Sequence, residues 1–384
     1  MVFKVLKGRK FKIAGVDQNN YSPLTSTETH QVQLRKFHCE VCAKKTKRNS
    51  KGVKIMNNAT LDGKKILIVG GCGYIGGHLT DLLCNEDMGC QVTVYDCLLY
   101  ETRFLKKVNF IYGDIKDTAR LGKLIHDFDV VVWLAAIVGD GACQVDEELT
   151  KDLNENAVKW LVDNYKGRIV FTSTCSVYGV NNDLLDESAE PNPLSLYAST
   201  KLAAEKYVLE HANHPLVFRL GTLYGQSDVH SRIRLDLVVN ILTKKAAQGE
   251  PLTIFGGEQW RPLLHVKDVS NAIIYGLKND IEGLYNLSSG NYRISEIADA
   301  IKSVIPSAKV QSHDISFEDA RNYKVDNSKF ASTGWKPKHT IEEGIIDMLE
   351  MFTDNRVTNT NDSVYSNVAH LKSTYNIEKE GEFY

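Results

Sequence analysis

Ile66-Leu67-Ile68-Val69-Gly70-Gly71-Cys72-Gly73-Tyr74-Ile75-Gly76 is the stretch that decides the fold. An apolar run enters a glycine turn, and the turn leads into a helical pattern, His78-Leu79-Thr80-Asp81-Leu82-Leu83. Strand, glycine turn and helix in that order make the phosphate-binding start of a dinucleotide fold. The missing Cβ atoms at Gly70, Gly73 and Gly76 let the backbone approach a diphosphate. The helix start around Tyr74 and Ile75 supplies free N–H groups and a positive dipole end. The glycines fall at i, i+3 and i+6, unlike the G-x-G-x-x-G of ordinary dehydrogenases.

Asp96 closes the next apolar strand, twenty residues past Gly76. A carboxylate there accepts hydrogen bonds from both ribose hydroxyls and repels a 2′-phosphate. The expected cofactor is therefore NAD rather than NADP, with Arg103 the nearby residue that would argue otherwise.

Outward from this unit, apolar strands alternate with helical patterns as far as Thr174. The strands read Lys65–Val69, Gln91–Tyr95, Asn109–Tyr112, Val130–Leu134 and Arg168–Thr172. Amphipathic stretches such as Thr118–Phe128 and Glu148–Tyr165 lie between them. Such alternation predicts a parallel sheet covered on both faces. Beyond Leu220 the pattern loosens, with helices expected near Asp236–Gln248, Val266–Lys278 and Ile294–Val304 and short strands at Leu252–Phe255 and Leu284–Leu287. The fold class expected is α/β: a Rossmann doubly wound parallel sheet with a smaller C-terminal α/β substrate lobe. The division expected is a basic extension over 1–58, an NAD-binding domain over 59–220 and a substrate lobe interwoven with it over 221–384.

At 43% hydrophobic and 24% charged residues, the 384-residue chain has the composition of an ordinary globular protein. A net charge of −2 gives the whole chain no pull toward nucleic acid or an anionic membrane. No apolar run approaches the roughly 20 residues of a membrane span. The eight cysteines are scattered, and no apolar leader follows the basic N-terminus, so a cytoplasmic protein with reduced thiols is expected. Charge is uneven: residues 1–58 hold thirteen basic and three acidic side chains. Within them, His38-Cys39-x-x-Cys42 is half a zinc knuckle, with His30 the other nearby candidate, and a structural zinc site wants four ligands. Lys44-Lys45-Thr46-Lys47-Arg48 offers a polyanion contact or a solvated tail. No metal is expected in the catalytic unit.

Tyr197-Ala198-Ser199-Thr200-Lys201 places a phenol and an ammonium four residues apart, on one helix face. Upstream, Phe171-Thr172-Ser173-Thr174-Cys175-Ser176-Val177-Tyr178-Gly179 offers a hydroxyl partner at a strand end. With these residues the chain resembles the extended short-chain dehydrogenase/reductase superfamily, and within it nucleotide-sugar epimerases and dehydratases of the UDP-glucose 4-epimerase kind. The resemblance spans about residues 62–350. It rests on the glycine turn, Asp114-Ile115, Leu134-Ala135-Ala136, Asn154, Thr174, Tyr197-x-x-x-Lys201, Arg219-x-x-x-x-Tyr224-Gly225, Arg261 ahead of His265-Val266-Lys267-Asp268, Tyr285-Asn286-Leu287 and Tyr323-x-x-Asp326.

The resemblance implies that Asp114 and Ile115 flank the adenine and that Leu134-Ala135-Ala136 passes the cofactor phosphates and nicotinamide ribose. Asn154 joins the cofactor-binding set. Lys201 holds the nicotinamide ribose and lowers the Tyr197 pKa, Tyr197 serves as base, and Thr174 bonds the reacting oxygen. Arg261, Arg321 and Thr222 contact the substrate, and the protein forms a homodimer. Dehydratases carry an Asp-Glu pair directly after the threonine, where this chain has Cys175-Ser176. What remains is C4 epimerisation, or reduction of a C4 ketosugar with external NAD(P)H. Cys175 and His265 are expected to pack rather than react. A non-catalytic NAD(H)-binding protein, or a nucleic-acid-binding protein on the same fold, is the rival of another class; the intact Tyr197, Lys201 and Thr174 argue against the first.

Overall fold

The computed structural model describes residues 61–101, 105–228, 230–313 and 322–381. His30, His38, Cys39, Cys42, the basic run at 44–48, Arg103 and Arg321 lie outside them. Seven strands form the main sheet: β1 (Lys65–Val69), β2 (Gln91–Asp96), β3 (Asn109–Tyr112), β4 (Val130–Trp133), β5 (Arg168–Thr174), β7 (Leu216–Leu220) and β11 (Gly283–Leu287). Their order is β11-β7-β5-β4-β1-β2-β3, and every neighbouring pair is parallel. The chain winds outward from β1 through β2 and β3, then returns to lay β4 on the other side of β1. Ligands bind outside the strand C-termini at such a reversal, and the glycine turn follows β1 there.

Period-two alternation decides both faces of the sheet. Ile66, Ile68, Val92, Val94, Val130 and Val132 pack with Leu79 and Leu83 of the Gly76–Leu83 helix and with Val269, Ile273 and Leu277 of the Val266–Lys278 helix. Leu67, Val69, Val131, Trp133, Ile169 and Phe171 pack on the opposite face against Leu121, Ile125, Val158, Leu161 and Val208. Fully burying each such side chain contributes about 1.5–3 kcal/mol, and a one-residue slip in register would expose a whole set.

The second lobe holds β8 (Thr222–Tyr224), β9 (Leu252–Phe255), β10 (Trp260–His265), β12 (Gly290–Arg293) and β13 (Val310–His313). These form a three-stranded β12-β10-β8 sheet and a β13-β9 pair. They share a core of Val239, Leu242, Leu252, Ile254, Leu263, Ile297, Ile301, Ile341 and Ile345. A further pair joins β6 (Val180–Leu185) to β14 (Asn322–Val325).

Two elements differ from expectation. The strand foreseen at Leu284–Leu287 as part of the lobe is the outer strand of the main sheet, paired to β7 with Asn286 opposite Arg219. The Val266–Lys278 helix packs on the sheet and serves as its crossover, returning the chain parallel to β7. The amphipathic stretch Glu148–Tyr165 is continuously helical but irregular: Glu147–Lys151 passes through a π-helical turn over Asp152–Asn156 into Ala157–Asn164. Among the described residues, no helix is long and apolar enough to cross a membrane.

Candidate functional site

Gly70 has φ +82°, and a Cβ on it would stand 2.5 Å from the backbone nitrogen of Ala135. The turn can lie against Leu134-Ala135 only because no side chain intervenes. A Cβ on Gly73 would meet only the Gly70 carbonyl oxygen, at 3.2 Å, on the wall of a cleft. The backbone N–H groups of Tyr74 and Ile75 find no acceptor among the described residues, just before the Gly76–Leu83 helix begins. These are the donors an anion needs at a helix start. Tyr74 itself is buried, and its phenol donates to the Gly225 carbonyl.

The cleft, about 400 Å³, runs along the strand ends at the sheet reversal. At one end Gly113, Asp114, Ile115 and Lys116 line it, and next to them stands Asp96. One carboxylate oxygen of Asp96 accepts from Cys72 N at 2.9 Å and the other from Leu98 N at 2.7 Å. Burial pushes its pKa up. The glycine turn and Leu134-Ala135-Ala136 form the middle, and Ile137, Val138 and Leu223 the far wall. The free turn donors, the side-chain-free Gly73 and a ribose-facing acid together fit a dinucleotide.

Ser195 caps the Leu196–His211 helix by accepting from Ala198 N. On that helix Tyr197, Lys201 and Glu205 follow at four-residue spacing along one face. Thr174 ends β5 near Tyr197; burial pushes the Tyr197 phenol's pKa up, Cys143 adds to that push, and Thr174 draws it down. Arg234 also draws it down. Lys201, 3% exposed, places Nζ 4.1 Å from the Phe171 ring centre, and burial lowers its pKa to about 7. None of Thr174, Tyr197 and Lys201 lines the cleft; Tyr197 packs against the cluster of Ile137, Ala142, Cys143 and Leu371.

Beneath this face lies a closed polar network. Glu205 takes hydrogen bonds from Arg219 Nε and Nη2, the shortest 2.6 Å. Arg219 Nη1 donates to the Tyr178 phenol at 2.8 Å, and that phenol donates to Asn286 Oδ1 at 2.8 Å. Cys175 is fully buried, its thiol raised by burial and donating to the Arg219 carbonyl. His265 caps the Val266–Lys278 helix and stacks on His339, its pKa driven down to about 2 by burial. Both pack as expected.

Three of the expected residues do not line this cleft. Asn154 does not reach the cleft: its side chain accepts from Ile137 N and donates to Ile137 O, both at 2.8 Å. It shapes the wall through Ile137, and the π-helical turn is where it departs. Thr222 and Arg261 do not line the cleft; Arg261 is buried in β10 and donates to the Trp260 carbonyl at 2.9 Å. The cleft instead presents Tyr100, Arg232, Arg234 and Asn367, none foreseen. The one sequence signal was Arg232-Ile233-Arg234-Leu235-Asp236, whose alternation puts both arginines on one side.

The sequence model of the NAD dependent epimerase/dehydratase family matches residues 66–288. The UDP-glucose 4-epimerase of Halalkalibacterium halodurans is 28% identical over 324 residues, covering 73% of this chain and 93% of that protein. UDP-glucuronic acid decarboxylase 3 of Arabidopsis thaliana is 27% identical, covering 75% and 89%. The crystal structure of UDP-glucuronic acid 4-epimerase from Bacillus cereus, in complex with UDP-glucuronic acid and NAD, superposes with a TM-score of 0.65 at 26% identity, covering 76% of this chain and 99% of that one.

Proposed function

The chain belongs to the NAD-dependent epimerase/dehydratase family, and from that premise we propose that it is a nucleotide-sugar 4-epimerase acting on a UDP-, dTDP- or GDP-hexose. The observation that carries the reading is Thr174 beside Tyr197, with buried Cys175 and Ser176 standing where a dehydratase needs two carboxylates. Asp96 would hold the adenosine ribose, the turn around Tyr74 and Ile75 the diphosphate, and Lys201 the nicotinamide ribose.

Bound NAD supplies a reversible acceptor for the hydrogen on C4. Tyr197 removes the C4 hydroxyl proton as the alcohol becomes a ketone, and returns it once the sugar has turned its other face. Thr174 holds the reacting oxygen. The lysine ammonium and the positive ring both favour the phenolate, offsetting the upward push of burial. Ile137 and Val138 would meet the sugar, Arg261 and Arg321 would hold the nucleotide diphosphate, and Thr222 would touch the substrate. A homodimer, on resemblance alone, and a cytoplasmic location, on the scattered cysteines, complete the reading.

The test uses purified full-length protein. Bound NAD is released and quantified, and UDP-, dTDP- and GDP-hexoses are offered with no added reductant. Interconversion of C4 epimers, lost in Tyr197→Phe, is the expected result. Turnover seen only with a C4 ketosugar and added NADH would replace the epimerase reading with a reductase.

A further inference from the structure

Arg232 is 5% exposed on the cleft wall, and its Nε has no hydrogen-bond partner among the described residues. Its guanidinium lies over the Tyr100 ring, 3.3 Å from the ring centre, and one Nη donates weakly to the Val364 carbonyl at 3.4 Å. No carboxylate of the described residues lies within ion-pair distance. Asp236, the acid on the same segment, is taken by Arg234 at 2.9 and 3.1 Å and by the Asn367 backbone N–H at 2.8 Å. A buried cation without a counter-charge is costly, and burial with the neighbouring Arg234 pulls the Arg232 pKa down to about 10. Two more polar atoms in the same cleft are orphaned: the Tyr100 hydroxyl, a donor, and Asn367 Oδ1, an acceptor.

The position of this cation is defined from two sides. Tyr100 belongs to the loop after β2, whose Leu98 N–H is held by Asp96. The arginine segment is held to the glycine turn: Asn240 Nδ2 bonds both the Tyr74 hydroxyl and the Arg234 carbonyl, and Ser227 Oγ accepts from His78 N. Arg232 thus lines the same cleft as the acid suited to the adenosine ribose and the turn whose free N–H groups await an anion, stacked on the loop after the one and on a segment bonded to the other. Between those two points a dinucleotide carries its diphosphate.

We propose that Arg232, stacked on Tyr100, clamps the cofactor diphosphate from the wall opposite the glycine turn, so that NAD is held between two lobes and retained. The guanidinium presents two N–H edges to phosphate oxygens, the Tyr100 hydroxyl adds a donor, and Asn367 Oδ1 accepts from a flanking ribose hydroxyl. Asn367 also donates to the Val138 carbonyl at 2.6 Å, and His370 donates to the Leu99 carbonyl at 2.7 Å. The Asn367–Gly381 helix thus ties both walls together. A cofactor gripped in this way suits a reaction that regenerates NAD at each turnover, and in that respect the inference deepens the epimerase reading.

The test compares wild type with Arg232→Gln and Arg232→Lys as full chains. The purified proteins are stripped of nucleotide and titrated calorimetrically with ADP-ribose and with adenosine, and NAD retained through purification is quantified. Hydrogen bonds to a charged group set the expected loss: Arg232→Gln binds ADP-ribose about ten- to hundredfold more weakly, with adenosine affinity unchanged and less NAD retained. Arg232→Lys, keeping charge without the fork, falls between. If Arg232→Gln does not fold, the Lys variant decides, and ADP-ribose binding equal to wild type sinks the clamp. So does an equal loss for adenosine and ADP-ribose, which marks a deformed cleft. A loss for UDP-glucose with ADP-ribose unaffected moves Arg232 to the substrate. Wild type that binds no ADP-ribose removes the cofactor assignment itself.

Discussion

The Nζ of Lys201 stands 4.1 Å from the centre of the Phe171 ring. The ammonium is thus sheltered by an aromatic face of the main sheet and has no carboxylate within ion-pair distance among the described residues. A ring quadrupole is weak compensation for full desolvation, and the pKa falls from 10.5 to about 7. The unfolded chain keeps this proton up to about pH 10.4, so between those values unfolding takes up a proton and stability rises with pH. Below the folded value the whole penalty is present. Lys201→Met is therefore expected to melt above wild type at pH 6 to 7, with the gap closing as pH climbs toward 10. A gap that stays constant from pH 6 to 10 contradicts this.

Tyr197→Phe removes one oxygen and leaves the helix and its cap intact. General acid–base catalysis contributes about 10²–10⁴-fold, so turnover of a nucleotide hexose is expected to drop by that factor. Asp96 and the glycine turn are untouched, so NAD content per chain should match wild type. Parallel loss of turnover and cofactor would mean that Tyr197 supports the cleft rather than the chemistry.

Glu205 and Arg219 form a buried pair, at 1% and 4% exposure, inside a closed network. Removing one partner strands the other, at a cost of about 3–5 kcal/mol. Glu205→Met should lower the urea midpoint accordingly, while Glu205→Met with Arg219→Met recovers a large part of the loss. A double variant as unstable as the sum of the two singles would show that the two side chains act independently, and would contradict the stranding argument.

Periodicity made much of this legible. The helices Val266–Lys278 and Ile294–Val304 and the strand Leu252–Phe255 carry the bounds expected from their apolar spacing. The π-helical turn inside Glu148–Tyr165 left no mark in the periodicity: Asn154, within it, bonds Ile137, a residue outside the helix. Arg232 was hidden for the same kind of reason. Arg-Ile-Arg-Leu-Asp looks like a charged loop until Tyr100, Val364 and Asn367 close over it. The cofactor half of the site is local in sequence, a strand, a turn and an acid. The wall facing it is assembled from three separate segments, and no local pattern announces that.

Gly70 and Gly139 separate crowding from strain. Both have positive φ, +82° and +103°. A Cβ on Gly139 meets nothing within 4 Å, whereas one on Gly70 strikes Ala135 at 2.5 Å. Gly139→Ala should cost only backbone strain, about 1–3 kcal/mol, and keep its NAD. Gly70→Ala must push the turn off Ala135, and is expected to lose bound NAD even where the chain still folds. Retained nucleotide, read by absorbance after denaturation, distinguishes the two; equal NAD in both variants contradicts the packing argument.

Asp96 should govern both cofactor choice and its pH dependence. Its two oxygens are each anchored by one backbone N–H, from Cys72 and Leu98, and each retains a lone pair for a ribose hydroxyl. Burial lifts its pKa above the ordinary aspartate value. The carboxylate therefore protonates at a higher pH than a solvated one, and a protonated Asp96 offers one acceptor fewer. NAD affinity in wild type is expected to weaken as pH falls toward that raised value. Asp96→Asn cannot accept both backbone N–H groups with its amide and carries no charge. It should bind NAD about ten- to hundredfold more weakly, discriminate less against NADP, and lose the acid-side slope. Titrations with NAD and NADP between pH 4.5 and 8 measure all three effects. A variant that keeps the wild-type slope would place the titrating group elsewhere, and one that keeps the wild-type preference for NAD would show that the shape of the cleft, not the charge at the end of β2, excludes the 2′-phosphate.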